Sequence, residues 1–431
     1  MHTHPVRILL AIHNVYTDHT SGAQKCLKTL MEWLSEAGHE SRVLASARFD
    51  GREPEPIDQH LRSLGVPLRQ RPPQDAFVKW VKGRGGQARG RKVVDFRLNG
   101  VDVATLLTRY NDPQQPNRLE YEQFVFEFDQ ACATFRPDLV MTQGAHPVCQ
   151  EIMRRARARG ITTVFRLANF GYEDDRLYQD VDHVFTCSPF LSRHYFNRIG
   201  LVSTPLTSPI HWDEVLSPPD RRHFLTFINP TIHKGAGLFA RLALMLGETR
   251  PDIPILVVQS AGDATLLNSI QGVDFTKYPQ IMASPPARRP ADIFELTKVL
   301  LVPSVFHEPF GRVAAEALIN GVPPLVSNRG ALPDTVGGGG QVLPLPAWLT
   351  ETATGLVSPD EARPWFDAVC ALWDDPNRYA VASKAALGAG RALYGEDIQR
   401  RRYIDYVTGL KPGGRVFVDP PAPPTAEASS A

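Results

Sequence analysis

The sequence is short of several things. Its 431 residues include five cysteines: Cys26, Cys132, Cys149, Cys187 and Cys370, with no C-x-x-C pair among them. That scatter argues against a disulfide framework or a thiolate zinc site, and makes a reducing cytoplasm the natural setting. No apolar run approaches the roughly 20 residues that a membrane span needs. The run at 8–12 is followed at once by polar residues and reads as a first β-strand, not a signal peptide. Neither sign of charge is in excess: 47 Lys and Arg face 46 Asp and Glu, a net charge of +1. The overall balance therefore gives no reason to expect nucleic acid as a partner. No internal repeat with a period of 20–50 residues is present.

What is there is length and rhythm. A chain this long fits two domains of roughly 200 residues each. Apolar stretches of strand length at 6–12, 42–45, 139–142, 161–165 and 183–186 alternate with helical stretches at 22–37, 121–135, 148–159 and 190–198. This βαβ pattern predicts a parallel sheet covered on both faces. The expected N-terminal domain is 1–205. It is interrupted by a basic insertion near 75–105, in which Phe96 to Val103 alternates about Asn99-Gly100, a type I′ hairpin signal. The basic part, 79–92, reads as a mobile surface loop or as an arm for an anionic acceptor or membrane surface. A proline-rich stretch centred on Pro205, Pro209, Pro218 and Pro219 marks a linker at 206–222. The rhythm then restarts, giving a second domain at 223–393. A C-terminal helix is expected at 394–410, crossing back to the first domain, and a disordered tail at 411–431. The glycine run 337–340 lacks the strand–GxGxxG–helix setting of a dinucleotide fingerprint and reads as a turn.

The most informative run is Glu308-Pro309-Phe310-Gly311-Arg312-Val313-Ala314-Ala315-Glu316. It follows a strand near 299–302 and enters a helix near Gly311. One carboxylate stands at the helix mouth and the other on its wall, with first-turn N–H groups between them. A phosphate-bearing ligand with hydroxyls on both sides suits that arrangement. Glu316 can accept from a ribose diol, and the N–H groups of Phe310, Gly311 and Arg312 can meet phosphate or sugar oxygens. Spacing alone fits equally well an amphipathic helix with a solvated Glu316 and a loop Glu308. Upstream, Lys234 precedes Gly235 and a helix, a place from which it can reach a diphosphate. Gly22, in a small turn at the first helix's start, can admit phosphate or sugar. His13 and Asn14 end the first strand, on the edge where open α/β sheets bind ligands.

With its flanks, Pro303 to Ala317 followed by Asn320-Gly321-Val322-Pro323, this run resembles the donor-site signature of the retaining glycosyltransferases of family 4. The stretch from Ser327 to Asp334 resembles that family's next loop. The resemblance implies an α/β protein of GT-B fold, two Rossmann-like domains with parallel sheets facing a central cleft. It implies a retaining, metal-independent, bacterial-type hexosyltransferase without a cofactor, whose co-substrate is a nucleotide-diphosphate-sugar, a UDP- or GDP-sugar. The absence of an Asp-x-Asp motif at a convincing strand end suits a site without metal. Glu308 then sits at the donor sugar and Glu316 at the ribose, with Lys234 at the diphosphate. The family's usual arginine, five residues before that lysine, is replaced by Asn229. Either one cation fewer holds the diphosphate, or another residue such as Arg312 supplies the charge. His146 stands where relatives carry an active-site histidine, with Gln143 and Gly144 as alternative counterparts. Asn169 and Tyr172 line the acceptor side, though Ala168 stands where many relatives have a histidine. The expected partners are the donor and a small-molecule, glycan or lipid-linked acceptor, without nucleic acid and with at most peripheral contact to the inner face of a membrane. Two departures, Asn229 and Ala168, keep open an inactive nucleotide-sugar-binding protein. The fold also serves epimerases and phosphorylases.

Overall fold

The structure is a computed structural model that describes residues 5–50, 56–84, 90–111, 117–260, 265–268, 270, 272–287, 289–353 and 355–418. Residues 85–89 of the basic insertion and 419–431 of the expected tail lie outside this set. The chain divides into two compact units. The first runs to Leu206 and regains the chain from Arg400; the second is Thr207–Gln399.

The first unit contains strands β1 (Arg7–Ala11), β2 (Glu40–Ser46), β3 (Arg69–Arg71), β4 (Val93–Leu98), β5 (Val101–Leu106), β6 (Leu139–Gln143), β7 (Thr162–Leu167), β8 (His183–Thr186) and β9 (Thr204–Pro205). Its α-helices are α1 (Gly22–Glu36), α2 (Ile57–Ser63), α3 (Asp75–Gly83), α4 (Arg118–Phe135), α5 (Pro147–Arg157) and α6 (Pro189–Ile199). The strands form one nine-stranded sheet in the order β3-β4-β5-β2-β1-β6-β7-β8-β9. From β5 to β9 every pair is parallel. The hairpin expected about Asn99-Gly100 stands at the sheet's edge, where β3–β4 and β4–β5 are antiparallel. The cause is the two-residue turn: Asn99 (φ 47°) and Gly100 (φ 82°) both take the left-handed conformation of a type I′ hairpin. Ile8, Leu10, Ile12, Leu27, Leu30, Trp33 and Val164 form the core on the α1 side, joined by Tyr403 and Val407 from the returning chain.

The second unit contains β10 (Phe224–Ile228), β11 (Ile255–Val258), β12 (Ile281–Ser284), β13 (Thr297–Val302), β14 (Pro324–Ser327) and β15 (Gln341–Leu343). Its helices are α7 (Trp212–Val215), α8 (Ala236–Thr249), α9 (Thr265–Asn268), α10 (Pro290–Phe294), α11 (Arg312–Ile319), α12 (Leu332–Val336), α13 (Pro359–Asp374) and α14 (Pro376–Tyr394). A last helix, α15 (Glu396–Gly409), spans the boundary back into the first unit. The six strands are all parallel in the order β12-β11-β10-β13-β14-β15. Counted within the unit this is the order 3-2-1-4-5-6 of a doubly wound Rossmann sheet, whose ligand crevice lies where the order reverses, at the ends of β10 and β13.

Two boundaries differ from the sequence reading. Residues 207–222 belong to the second unit, because Asn320 binds them: its amide donates to Val215 O (3.0 Å) and its carbonyl accepts from Ser217 N (3.0 Å). Residues 411–418 are ordered against the first unit. His183 Nε2 donates to Lys411 O (2.6 Å), Val202 N to Val416 O (2.8 Å), and the Phe417 ring packs on Tyr178. No helix among the described residues is long and apolar enough to cross a membrane.

Candidate nucleotide-sugar site

The switch point of the second unit gathers the donor-side residues. After β10 the chain turns at Asn229, whose φ of 63° is left-handed. Asn is among the few non-glycine residues that tolerate this conformation, so Asn229 suits the turn as well as its place in the sequence. Thr231 caps a short 3-10 turn by accepting from Lys234 N (3.3 Å). Gly235 (φ 84°) follows, and a Cβ there would collide with the Pro303 carbonyl. This contact between the β10 and β13 loops sets Lys234 beside Glu308. Lys234 Nζ donates to Glu308 Oε1 at 2.5 Å, and Ser304 Oγ donates to the same oxygen at 2.8 Å. The Glu308 side chain is 9% exposed and that of Lys234 30%. Gly330 comes so close that a Cβ would run into the Glu308 backbone, and Ala331 N donates to Glu308 O (2.8 Å).

Helix α11 begins with Gly311 as its left-handed N-cap (φ 88°), a position where a Cβ would lie 2.6 Å from Leu332 Cδ2. Its first turn holds backbone N–H groups that have no partner within the helix. The Phe310 side chain turns inward and meets Tyr394 edge to face, while its carbonyl accepts from Thr335 Oγ1. Only the backbone of Phe310 is therefore available at the helix mouth. One turn on, Glu316 is buried and accepts from Arg312 Nε at 2.7 Å. A second Arg312 nitrogen donates to Pro209 O at 3.0 Å. Arg312, named as a possible replacement for the missing cation, has its guanidinium on Glu316 and a carbonyl. Small residues let α14 approach α11, and a Cβ on Gly390 would lie 2.6 Å from Leu318 O. The site thus holds two ion pairs with buried carboxylates, Lys234–Glu308 and Arg312–Glu316, around one helix N-terminus.

In the first unit the sheet order reverses between β1 and β6, and there His13 and His146 stack with ring centroids 4.5 Å apart. His146 caps α5, its Nδ1 accepting from Val148 N at 3.2 Å. Arg48, two residues beyond β2, lies 3.2 Å from His13 Nε2. Burial, then His146, then Arg48 lower the His13 pKa from 6.5 to about 3. Burial and Arg48 lower that of His146 to about 4, so both rings are neutral at pH 7. Asn14 does not join this pair. Its amide donates to Asp50 Oδ1 at 2.6 Å, and burial is the main cause raising the Asp50 pKa. Gly22 is the first residue of α1, with Ser21 as the cap that accepts from Gln24 N. Asn169 and Tyr172 share one partner: Tyr195 Oη donates to Asn169 O (2.8 Å) and accepts from Tyr172 N (3.1 Å).

Sequence reasoning missed Ser304, Arg48 and Arg166. Ser304 and Arg48 each lie two residues past a parallel strand, on the ligand-binding edge. The signal for Arg166 was a charge inside β7, a strand buried along its whole length.

Residues 21–207 match the family model described as a glycosyl transferase 4-like domain. No curated protein matches the sequence. Among solved structures, sucrose-phosphate synthase from Thermosynechococcus elongatus is similar at a TM-score of 0.62 and 17% identity, covering 94% of this chain and 99% of that one. Anabaena HepE, solved in complex with UDP and glucose, gives 0.61 and 12%, covering 94% and 100%. The catalytic domain of starch synthase IV from Arabidopsis thaliana, bound to ADP and acarbose, gives 0.63 and 12%, covering 93% and 100%. At these identities the likeness establishes the fold, which is GT-B.

Proposed function

We propose that the chain is a retaining, metal-independent glycosyltransferase that moves a sugar from a nucleotide-diphosphate-sugar, a UDP- or GDP-sugar, to an acceptor. The observation that carries this reading is the pair of buried carboxylates, each with its own cation, at the mouth and on the wall of α11. Similar structures solved with UDP, glucose and ADP support a nucleotide donor. In this reading Glu316 accepts from the ribose diol. The first-turn N–H groups of α11 and Lys234 Nζ meet the diphosphate, and Glu308 meets the sugar hydroxyls. When the bond from the anomeric carbon to the diphosphate oxygen breaks, negative charge grows on the leaving nucleoside diphosphate. Lys234 and the helix N-terminus stand preorganised for that charge. His146, neutral at pH 7, serves at the reacting sugar, and His13, Asn14, Asn169 and Tyr172 serve the acceptor.

A screen of UDP-, GDP- and ADP-sugars for binding, followed by transfer to candidate acceptors, tests this. Absence of binding to all three would refute it. A second reading, an inactive nucleotide-sugar binder, is favoured by Asn229 in the arginine's place and by the engagement of Arg312 with Glu316. Binding without donor turnover would select it. A third draws on a UDP-N-acetylglucosamine 2-epimerase of similar fold, TM-score 0.54 at 12% identity; donor turnover without any acceptor requirement would select that one.

A further inference from the structure

Arg166 is anomalous. It is 4% exposed, near the end of β7, with Gln143 beside it in register on β6. Among the described residues its one hydrogen bond runs from a guanidinium nitrogen to Gln143 Oε1 at 2.7 Å, and no carboxylate of those residues pairs with it. Most other arginines of the described residues that make a side-chain hydrogen bond meet a carboxylate; Arg71, Arg155, Arg250 and Arg312 are examples. A buried guanidinium with one neutral partner is costly unless something else compensates its charge.

Its surroundings run along the same sheet edge. Arg48, His13, His146, Gln143 and Arg166 stand at the carboxyl ends of β2, β1, β6 and β7, four neighbouring strands. Two buried imidazole nitrogens in this row, His13 Nδ1 and His146 Nε2, have no hydrogen-bond partner. The row is thus built from guanidinium groups at its two ends and neutral donors between them. The acidic groups nearby have partners of their own: Asp18 accepts from Thr20 Oγ1 and from Asp50 N, and Asp50 accepts from the Asn14 amide.

We propose that this row is an oxyanion subsite, and that the molecule taken up by the first unit carries a phosphate or carboxylate group bound by Arg166. The inference deepens the proposed function by naming the acceptor as anionic, and it rests on that reading only for the word acceptor.

Gln143→Glu gives the sharpest test. It changes little in shape, supplies Arg166 with an internal carboxylate, and removes the need for an external anion. Inorganic phosphate and acetate are titrated into the full chain by calorimetry, with and without saturating UDP. Histidine resonances are followed in parallel. Phosphate is expected to bind the wild type and to shift the His13 and His146 resonances. Affinity should fall at least about tenfold in Gln143→Glu and in Arg166→Gln, and Arg166→Lys should restore part of it. Gln143→Glu should melt no lower than the wild type, which separates lost binding from lost folding. Stronger binding of phosphate than acetate assigns a phosphate group, and the reverse a carboxylate. Equal phosphate binding in wild type, Gln143→Glu and Arg166→Gln would overturn the subsite. Competition by UDP would overturn its assignment to the acceptor. UDP binding itself, read in the same titrations, reports separately on the donor site.

Discussion

Removing the Lys234 amine tests how the candidate site is held together. Lys234→Met keeps much of the side-chain volume but leaves the Glu308 carboxylate, 9% exposed, with Ser304 as its remaining side-chain donor. Breaking a buried pair from one side costs about 3–5 kcal/mol. Lys234 is 30% exposed, and water reaching the pair screens it, so about 2 kcal/mol is the better figure. For a unit of this size that is a fall in melting temperature of about 4–8 °C. The double variant Lys234→Met/Glu308→Gln removes the stranded charge while keeping an acceptor for Ser304, and most of the loss should return. Thermal and urea unfolding of the four proteins in the cycle measures the coupling directly. A Lys234→Met protein that melts with the wild type would refute the buried pair. So would a double variant whose loss is the sum of the two single losses.

The other expectations concern chemistry and pH. Glu308→Gln should lower turnover much more than it lowers nucleotide affinity; steady-state rates and calorimetry on the same preparation separate the two, and wild-type turnover would remove Glu308 from the sugar. EDTA should leave transfer unchanged, and loss of activity that divalent metal restores would contradict a metal-independent reaction. His13 titrates near 3 in the folded protein against 6.5 ordinarily. Between those values the unfolded chain takes up a proton that the folded one does not. Its contribution to stability is therefore whole above about pH 6.5 and falls as pH is lowered, by about 2 kcal/mol at pH 5. Urea midpoints at pH 7 and 5 should show this loss, and His13→Asn should reduce it; identical midpoints in the wild type would contradict the burial of a neutral ring.

Much of the fold is written locally. The apolar strands, the caps and Asn99-Gly100 each act over a few residues, and the structure repeats them. The arrangement of the candidate run was legible for the same reason: Glu308, Gly311 and Glu316 lie on one loop and helix, so their spacing in sequence is nearly their arrangement in space. What was not legible depends on contacts between distant segments. The contacts of Arg312 with Glu316 and Pro209 could not be read from its place at the helix mouth. The linker reading of 206–222 differs from the structure because prolines look like a linker wherever they fall, while Asn320, about a hundred residues away, fastens that stretch to the second unit. The His13–His146 stack and the isolation of Arg166 arise from pairing among β1, β2, β6 and β7, which strand patterning does not specify. Ordering of 411–418 likewise depends on Asp182, His183 and Val202, more than two hundred residues earlier.

The central claim is that Glu316 binds the ribose of a nucleotide donor. Glu316→Gln keeps an acceptor for Arg312 but removes the charge that would receive the diol. Calorimetry of UDP and GDP against wild type and Glu316→Gln tests the claim directly. The account predicts saturable binding of one of the two nucleotides and a loss of about 1.5 kcal/mol or more in the variant, at least roughly tenfold in affinity. Equal affinity in the two proteins, or no binding of either nucleotide to the wild type, would contradict it.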